Sequence, residues 1–132
     1  MKFVCLGYIE PGKLESMPPS ERHGMLDECF DYDDRLRANG HFAFGEALQP
    51  PNSAKTVCLK KDRVMVTDGP YAETKEQIGG ILVLEARDLD HAVRLVSQHP
   101  GLKFGPWEIR PAGDLKAMVE ESEQRRAKNP RS

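Results

Sequence analysis

The sequence predicts an α+β fold in which two helices lie on one face of a mainly antiparallel sheet. Three observations lead there. Short apolar runs rich in β-branched and aromatic residues recur along the chain, two longer stretches carry apolar residues at helical spacing, and glycine or proline bounds most of them. Their order is strand, helix, strand, a pair of short strands, strand, helix, strand.

Lys2 to Ile9 reads as the first strand, closed by Glu10-Pro11-Gly12. Both of its faces are apolar, which suits a central position. Pro18-Pro19-Ser20 opens the first helix, because a proline in the first turn gives up a donor that would lack a partner there anyway. Asn39-Gly40 ends it, since glycine can take the left-handed stop conformation. Within it Met25, Cys29, Tyr32 and Leu36 form one stripe, widened by Leu26 and Phe30, while Asp27, Asp31, Asp34, Arg35 and Arg37 face water.

Over residues 41–48 the period becomes two, with Phe42, Phe44, Glu46 and Leu48 on one side and Ala43, Gly45 and Ala47 on the other. Small residues let a helix approach closely, so the alanine-glycine side is assigned to the helices and the aromatic side to the opposite face. After Gln49-Pro50-Pro51-Asn52 come two short strands, residues 56–60 and 64–67, joined by Lys61-Asp62-Arg63. A loop over 68–77 leads to an apolar strand, 78–85, whose Gly79-Gly80 entry implies a bulge or close backbone contact. Asp88 caps a second helix carrying Leu89, Ala92, Val93 and Val96, and His99-Pro100-Gly101 stops it. Residues 104–110 form the last strand, ended by Pro111.

Residues 1–111 thus make one domain. Residues 112–132 offer only Leu115, Met118 and Val119 as an apolar stripe before a polar run, and predict a short helix with a frayed tail. A ferredoxin-like layer with both helices on one face follows from the order. Its second face, with Phe42, Phe44 and Leu48, would leave several hundred Å² of apolar surface in water. Two copies packed sheet to sheet would cover it, so a homodimer with a partly filled cleft is expected.

The 132 residues carry a formal net charge of −2, with acids and bases interspersed, which argues against nucleic acid as a partner. Arg125, Arg126, Lys128 and Arg131 in the tail are the only feature that would suit nucleic acid. No stretch has the length of a membrane span, and the N-terminal apolar run is too short for a signal peptide. Cys5, Cys29 and Cys58 sit among apolar residues without metal-type spacing, which predicts packed, reduced thiols in a cytoplasmic protein. No CxxC, HxxxH, GxGxxG or GxSxG pattern is present, so no metal or cofactor site is expected.

The densest polar cluster runs from Thr67 to Gln77. It reads either as a turn, with Asp68-Gly69 as a positive-φ corner stiffened by Pro70, or as a loop presenting Asp68, Tyr71, Glu73 and Lys75 over the cleft. Glu46, on the aromatic side of its strand, is either an acid-base group or the partner of Arg110 or Lys55. Glu108 and Arg110 are similarly open. His99 suits either a helix C-terminus, where a cationic imidazole meets the dipole, or proton transfer beside the cleft. His23, His41 and His91 read as structural.

Gly45-Glu46-Ala47-Leu48-Gln49-Pro50-Pro51, followed by Val66-Thr67-Asp68-Gly69-Pro70-Tyr71-Ala72-Glu73-Thr74-Lys75-Glu76-Gln77-Ile78-Gly79-Gly80, resembles the DGPF-domain branch of the YCII-related family. Tyr71 replaces the phenylalanine of the branch's name. The resemblance covers residues 1–111 and implies a ferredoxin-like protomer in a dimeric α+β barrel, in a branch made up mostly of bacterial proteins with no assigned reaction. It also implies, for the wider group, a histidine on the first helix paired with an aspartate before a proline after the second. Counted back from Gly40, that first-helix position falls near Cys29, and His99 precedes Pro100, so the pair does not carry over in that form. Asp68 is the acid of the branch motif that matches.

Two functions are compatible with these residues. One is a lyase- or isomerase-like proton-transfer site in the dimer cleft, with Asp68 or Glu46 as base, His99 or Lys75 assisting, and Tyr71, Glu73 and Arg110 binding the small molecule. The other is a non-catalytic binding or regulatory module working through protein contacts.

Overall fold

In a computed structural model that describes residues 1–129, the alternating strand β1 (Lys2–Ile9) takes the central place its two apolar faces demand. The helix α1 (Pro19–Ala38) returns the chain to β2 (Phe42–Ala47); a hairpin of β3 (Lys55–Lys60) and β4 (Arg63–Asp68) intervenes before β5 (Gln77–Glu85). The helix α2 (Leu89–Ser97) then leads to β6 (Trp107–Pro111), and α3 (Leu115–Lys128) follows. The main sheet is four-stranded in the order β2-β5-β1-β6, every neighbour antiparallel, which is the ferredoxin-like layer the element order predicts.

Strand register explains the core. Phe3 pairs with Leu84 and Cys5 with Leu82, so these four point to the helix side, where Tyr32 and Leu36 of α1 and Val96 of α2 meet them. Phe3, Cys5 and Leu84 are fully buried, and burying a side chain the size of Phe or Leu contributes roughly 1.5–3 kcal/mol. α2 is held at its start by Asp88, whose carboxylate accepts from the His91 amide at 2.8 Å.

Four expectations are corrected. The alternation over residues 41–48 is broken by a bulge between Phe42 and Phe44, which lie opposite the successive residues Leu84 and Val83 and so point to opposite faces. Phe42 packs on the helix-side core with the Arg37 guanidinium 4.2 Å above its ring, and only Phe44 stays on the open face, beside Val4, Leu6, Ile81 and Val83. The last strand begins at Trp107 rather than residue 104, because Pro100–Lys103 forms a 3-10 turn first. The tail is not frayed from Glu120: α3 continues to Lys128, capped by Asp114 and braced by the Glu121–Arg125 ion pair at 2.7 Å. The expectation for residues 130–132, and Arg131 with them, lies outside the described residues. Finally, Cys5 and Cys29 are buried but Cys58 is exposed on the hairpin.

No helix among the described residues is long and apolar enough to cross a membrane.

Candidate active site

A pocket of about 290 Å³ opens where β1 ends and β5 begins, against Leu26 and Cys29 of α1. Two glycines make room for it. A Cβ on Gly7 would stand 2.7 Å from the Trp107 ring, and one on Gly79 2.6 Å from Ile9 Cγ2, so side chains there would displace the wall. The register shift at Gly7/Tyr8, facing Gly79-Gly80, is the bulge that the paired glycines imply. Leu14, Leu26, Ile78, Phe104 and Trp107 give the pocket apolar and aromatic walls. Its charged lining residues are the acids Glu10 and Glu15; no lysine or arginine lines it among the described residues.

His99 forms part of the wall and is only 6% exposed. Its Nδ1 accepts from the Gly101 amide at 2.9 Å, and its Nε2 lies 2.8 Å from Asp33 Oδ1. Because the amide can only donate, the hydrogen-bond network assigns the ring proton to Nε2, which donates to the Asp33 carboxylate. The ring is held edge-on by Tyr32, centroids 5.1 Å apart, and lies 5.5 Å from Trp107. The Tyr32 hydroxyl in turn donates to the Leu95 carbonyl at 2.5 Å. Three parts of the chain, α1, the turn after α2 and β6, therefore fix one imidazole. Cys29, one turn before Asp33, also lines the pocket; burial, with Asp33 and Glu28 adding, pushes its thiol up to about 11.

The sequence-derived candidates are not brought together. Of Asp68, Glu46 and His99, His99 lines the pocket. It caps the 3-10 turn that follows it through Nδ1, rather than the end of α2. Asp68 forms an ion pair with Lys55 at the hairpin's root, and Gly69 takes the positive φ of 96° that the turn reading requires. Thr56 Oγ1 donates to the Gly69 carbonyl at 2.8 Å, and the Gln77 side chain ties down the Ala72 and Thr74 carbonyls, so the motif clasps the hairpin. Tyr71 is 89% exposed, and Glu73 and Lys75 are exposed with it. Arg110 pairs with Glu108 on the open sheet face. Glu46 lies on that face too, with neither Arg110 nor Lys55 as its partner.

Asp33 was not singled out from the sequence, yet its position held the signal: it follows Cys29 by four residues and adjoins Tyr32, so it belongs to the buried stripe rather than the acidic back. A histidine–aspartate pair is present, but not at the implied positions: the acid, Asp33, stands on α1 one turn beyond Cys29, and the imidazole stands before Pro100.

Comparison with known proteins identifies the family and the fold. The YCII-related domain matches residues 1–116. The chain belongs to the YCII-related family. An uncharacterized protein of Rhizobium meliloti (strain 1021) is 35% identical over 66 residues, 48% of this chain and 53% of its own length, so the match spans about half of that relative. Among solved structures, 5-chloro-2-hydroxyhydroquinone dehydrochlorinase (TftG) from Burkholderia phenoliruptrix AC1100, in complex with 2,5-dihydroxybenzoquinone, superposes with a TM-score of 0.51 at 19% identity. The superposition covers 86% of this chain and 94% of that one, and shows the shared fold.

Proposed function

We propose that this YCII-related chain binds a small, planar, uncharged ring compound in the pocket beside His99 and moves a proton to or from it. One observation carries the reading: a buried pocket-wall imidazole whose Nε2–H is fixed by a partly buried carboxylate, leaving Nδ1 as the proton acceptor. A ligand O–H or activated C–H that displaces the Gly101 amide from Nδ1 gives up its proton there, and the Asp33 carboxylate stabilises the imidazolium that forms. The aromatic walls suit a flat ring, and the absence of a lining lysine or arginine among the described residues disfavours an anionic one. The solved neighbour is a dehydrochlorinase bound to a quinone, a ring of that size.

Glu46 and Asp68 belong, in this reading, to assembly rather than to proton transfer. The chain works as a homodimer, supported by the half-exposed Phe44 and by Val4, Leu6, Ile81 and Val83 on the helix-free face. Three free cysteines fit a reducing cytoplasm. A second reading, binding without chemistry, is favoured by the fact that both His99 nitrogens are already hydrogen-bonded.

Trp107 is the single tryptophan and lines the pocket, so its fluorescence reports occupancy. Hydroquinone and benzene-1,2,4-triol should quench it saturably, and benzoate should bind much more weakly. Deuterium from D₂O should enter ring C–H positions of the bound triol, and His99→Gln should slow that entry by roughly 10²-fold or more while binding persists. Binding with unchanged exchange in His99→Gln establishes the second reading; no saturable quenching by either phenol overturns both.

A further inference from the structure

The β3–β4 hairpin is a sheet of its own, and no other strand or helix among the described residues packs along it. Register divides its side chains cleanly. Val57 pairs with Val66 and Leu59 with Val64, so these four share one face, whereas Thr56, Thr67, Cys58 and Met65 share the other with Lys60 and Arg63. The four aliphatic residues are each 60–69% exposed, a contiguous apolar patch of a few hundred Å². An isolated two-stranded hairpin is marginal in water, so an arm this regular needs a covering surface.

The covering surface is identified by reach, area and charge. Six-residue strands extend about 20 Å, enough to cross a four-stranded sheet whose strands are spaced about 4.8 Å. The open sheet face contributes Phe44, but its Val4, Leu6, Ile81 and Val83 are already half-buried. Sheet contact alone therefore offers little further apolar area, and the arm adds to it toward the roughly 800 Å² per partner of a stable interface. The arm's end carries Lys60, Lys61 and Arg63, none of them ion-paired among the described residues; on the open face Glu46 likewise has no ion pair within the described chain.

We propose that the β3–β4 arm clasps a second copy of this chain, its Val57, Leu59, Val64 and Val66 face lying on that copy's open sheet beside Phe44, with the arm's basic end meeting Glu46. The inference rests on the homodimer reading above. It also bears on the pocket, because the segments on either side of the arm line it: Leu48 and Pro50 before β3, Gln77 and Ile78 after β4. Seating the arm on a second copy fixes two walls of the pocket, so assembly and ligand affinity are coupled.

Sedimentation equilibrium of the full chain at micromolar concentration tests this with four proteins. Wild type should be dimeric. Leu59→Glu with Val64→Glu changes residues already in water, so the protomer keeps its far-UV circular dichroism while the dimer dissociation constant rises roughly a hundredfold or more, and hydroquinone quenching of Trp107 weakens in parallel. Glu46→Lys weakens the dimer roughly tenfold, and adding Lys60→Glu and Arg63→Glu to it restores most of the loss. A monomeric wild type removes the homodimer reading itself. A dimeric wild type whose dissociation constant is unmoved by the arm variant, or an unrescued Glu46→Lys, overturns the arm's role and leaves that reading standing.

Discussion

Asp33 accepts the Nε2–H of a histidine that has almost no access to water, and that fact sets its energetic weight. Asp33→Ala strands a buried donor and should cost roughly 1–3 kcal/mol in urea unfolding, whereas Asp33→Asn, which keeps an acceptor, should cost less. Equal losses in both variants would mean that the charge, not the hydrogen bond, is what His99 needs. The thiols give a second residue-level prediction. Burial raises Cys5, and burial with Asp33 and Glu28 raises Cys29, each to about 11 from an ordinary 9.0. Between those values the unfolded chain releases thiol protons that the folded chain retains, so stability falls as pH rises from about 9 to 11. Urea midpoints in Cys29→Ala should decline less steeply over that window, and a thiol reagent at pH 8 should modify Cys58 well before the other two. At this scale the sequence was legible where a residue type declares its surroundings, as for Asp88 at a helix start. It was not where two distant turns meet: nothing local to His99 says that Asp33 faces it.

At the scale of elements, periodicity located most strands and both core helices, and failed where a backbone irregularity changes the count. The β2 bulge is one such place: a single extra residue turns Phe42 inward, and no pattern in residues 41–48 separates that from regular alternation. The third helix was expected, but its length was misjudged, for another reason. Its stripe is too sparse to predict a packed face, and what sustains it to Lys128 is capping, the Glu121–Arg125 pair and a basic last turn that suits the helix dipole. The hairpin was predicted closely, but its turn holds strain that composition did not announce. Lys61 and Asp62 both have positive φ, 51° and 64°, the conformation that Asn-Gly adopts readily. Asp62→Gly should therefore stabilise the arm by about 1 kcal/mol, read as slower amide hydrogen exchange across β3 and β4 with the main sheet unchanged. Faster exchange would show that the arm's stability resides elsewhere than in its turn.

For the molecule as a whole, the pocket, the arm and the open sheet face are joined through short segments rather than through the core. Leu48 and Pro50 leave β2 for the arm, Gln77 and Ile78 return from it, and all four border the pocket. The sequence showed this region as a motif because its residues are contiguous, yet it concealed the division of labour. The acid of the motif closes the hairpin's root, while the imidazole on the pocket wall comes from a turn more than twenty residues further on. If the clasped dimer is more stable than its separated protomers and comes apart on unfolding, its unfolding equilibrium includes dissociation and its stability depends on chain concentration. A tenfold rise in concentration should then add about 1.4 kcal/mol to the apparent unfolding free energy and move the urea midpoint upward accordingly. The Leu59→Glu, Val64→Glu chain, already dissociated, should unfold at a midpoint that concentration does not move. If the wild-type midpoint is equally indifferent, each protomer stands alone, and the exposed aliphatic face of the arm has no part in stability.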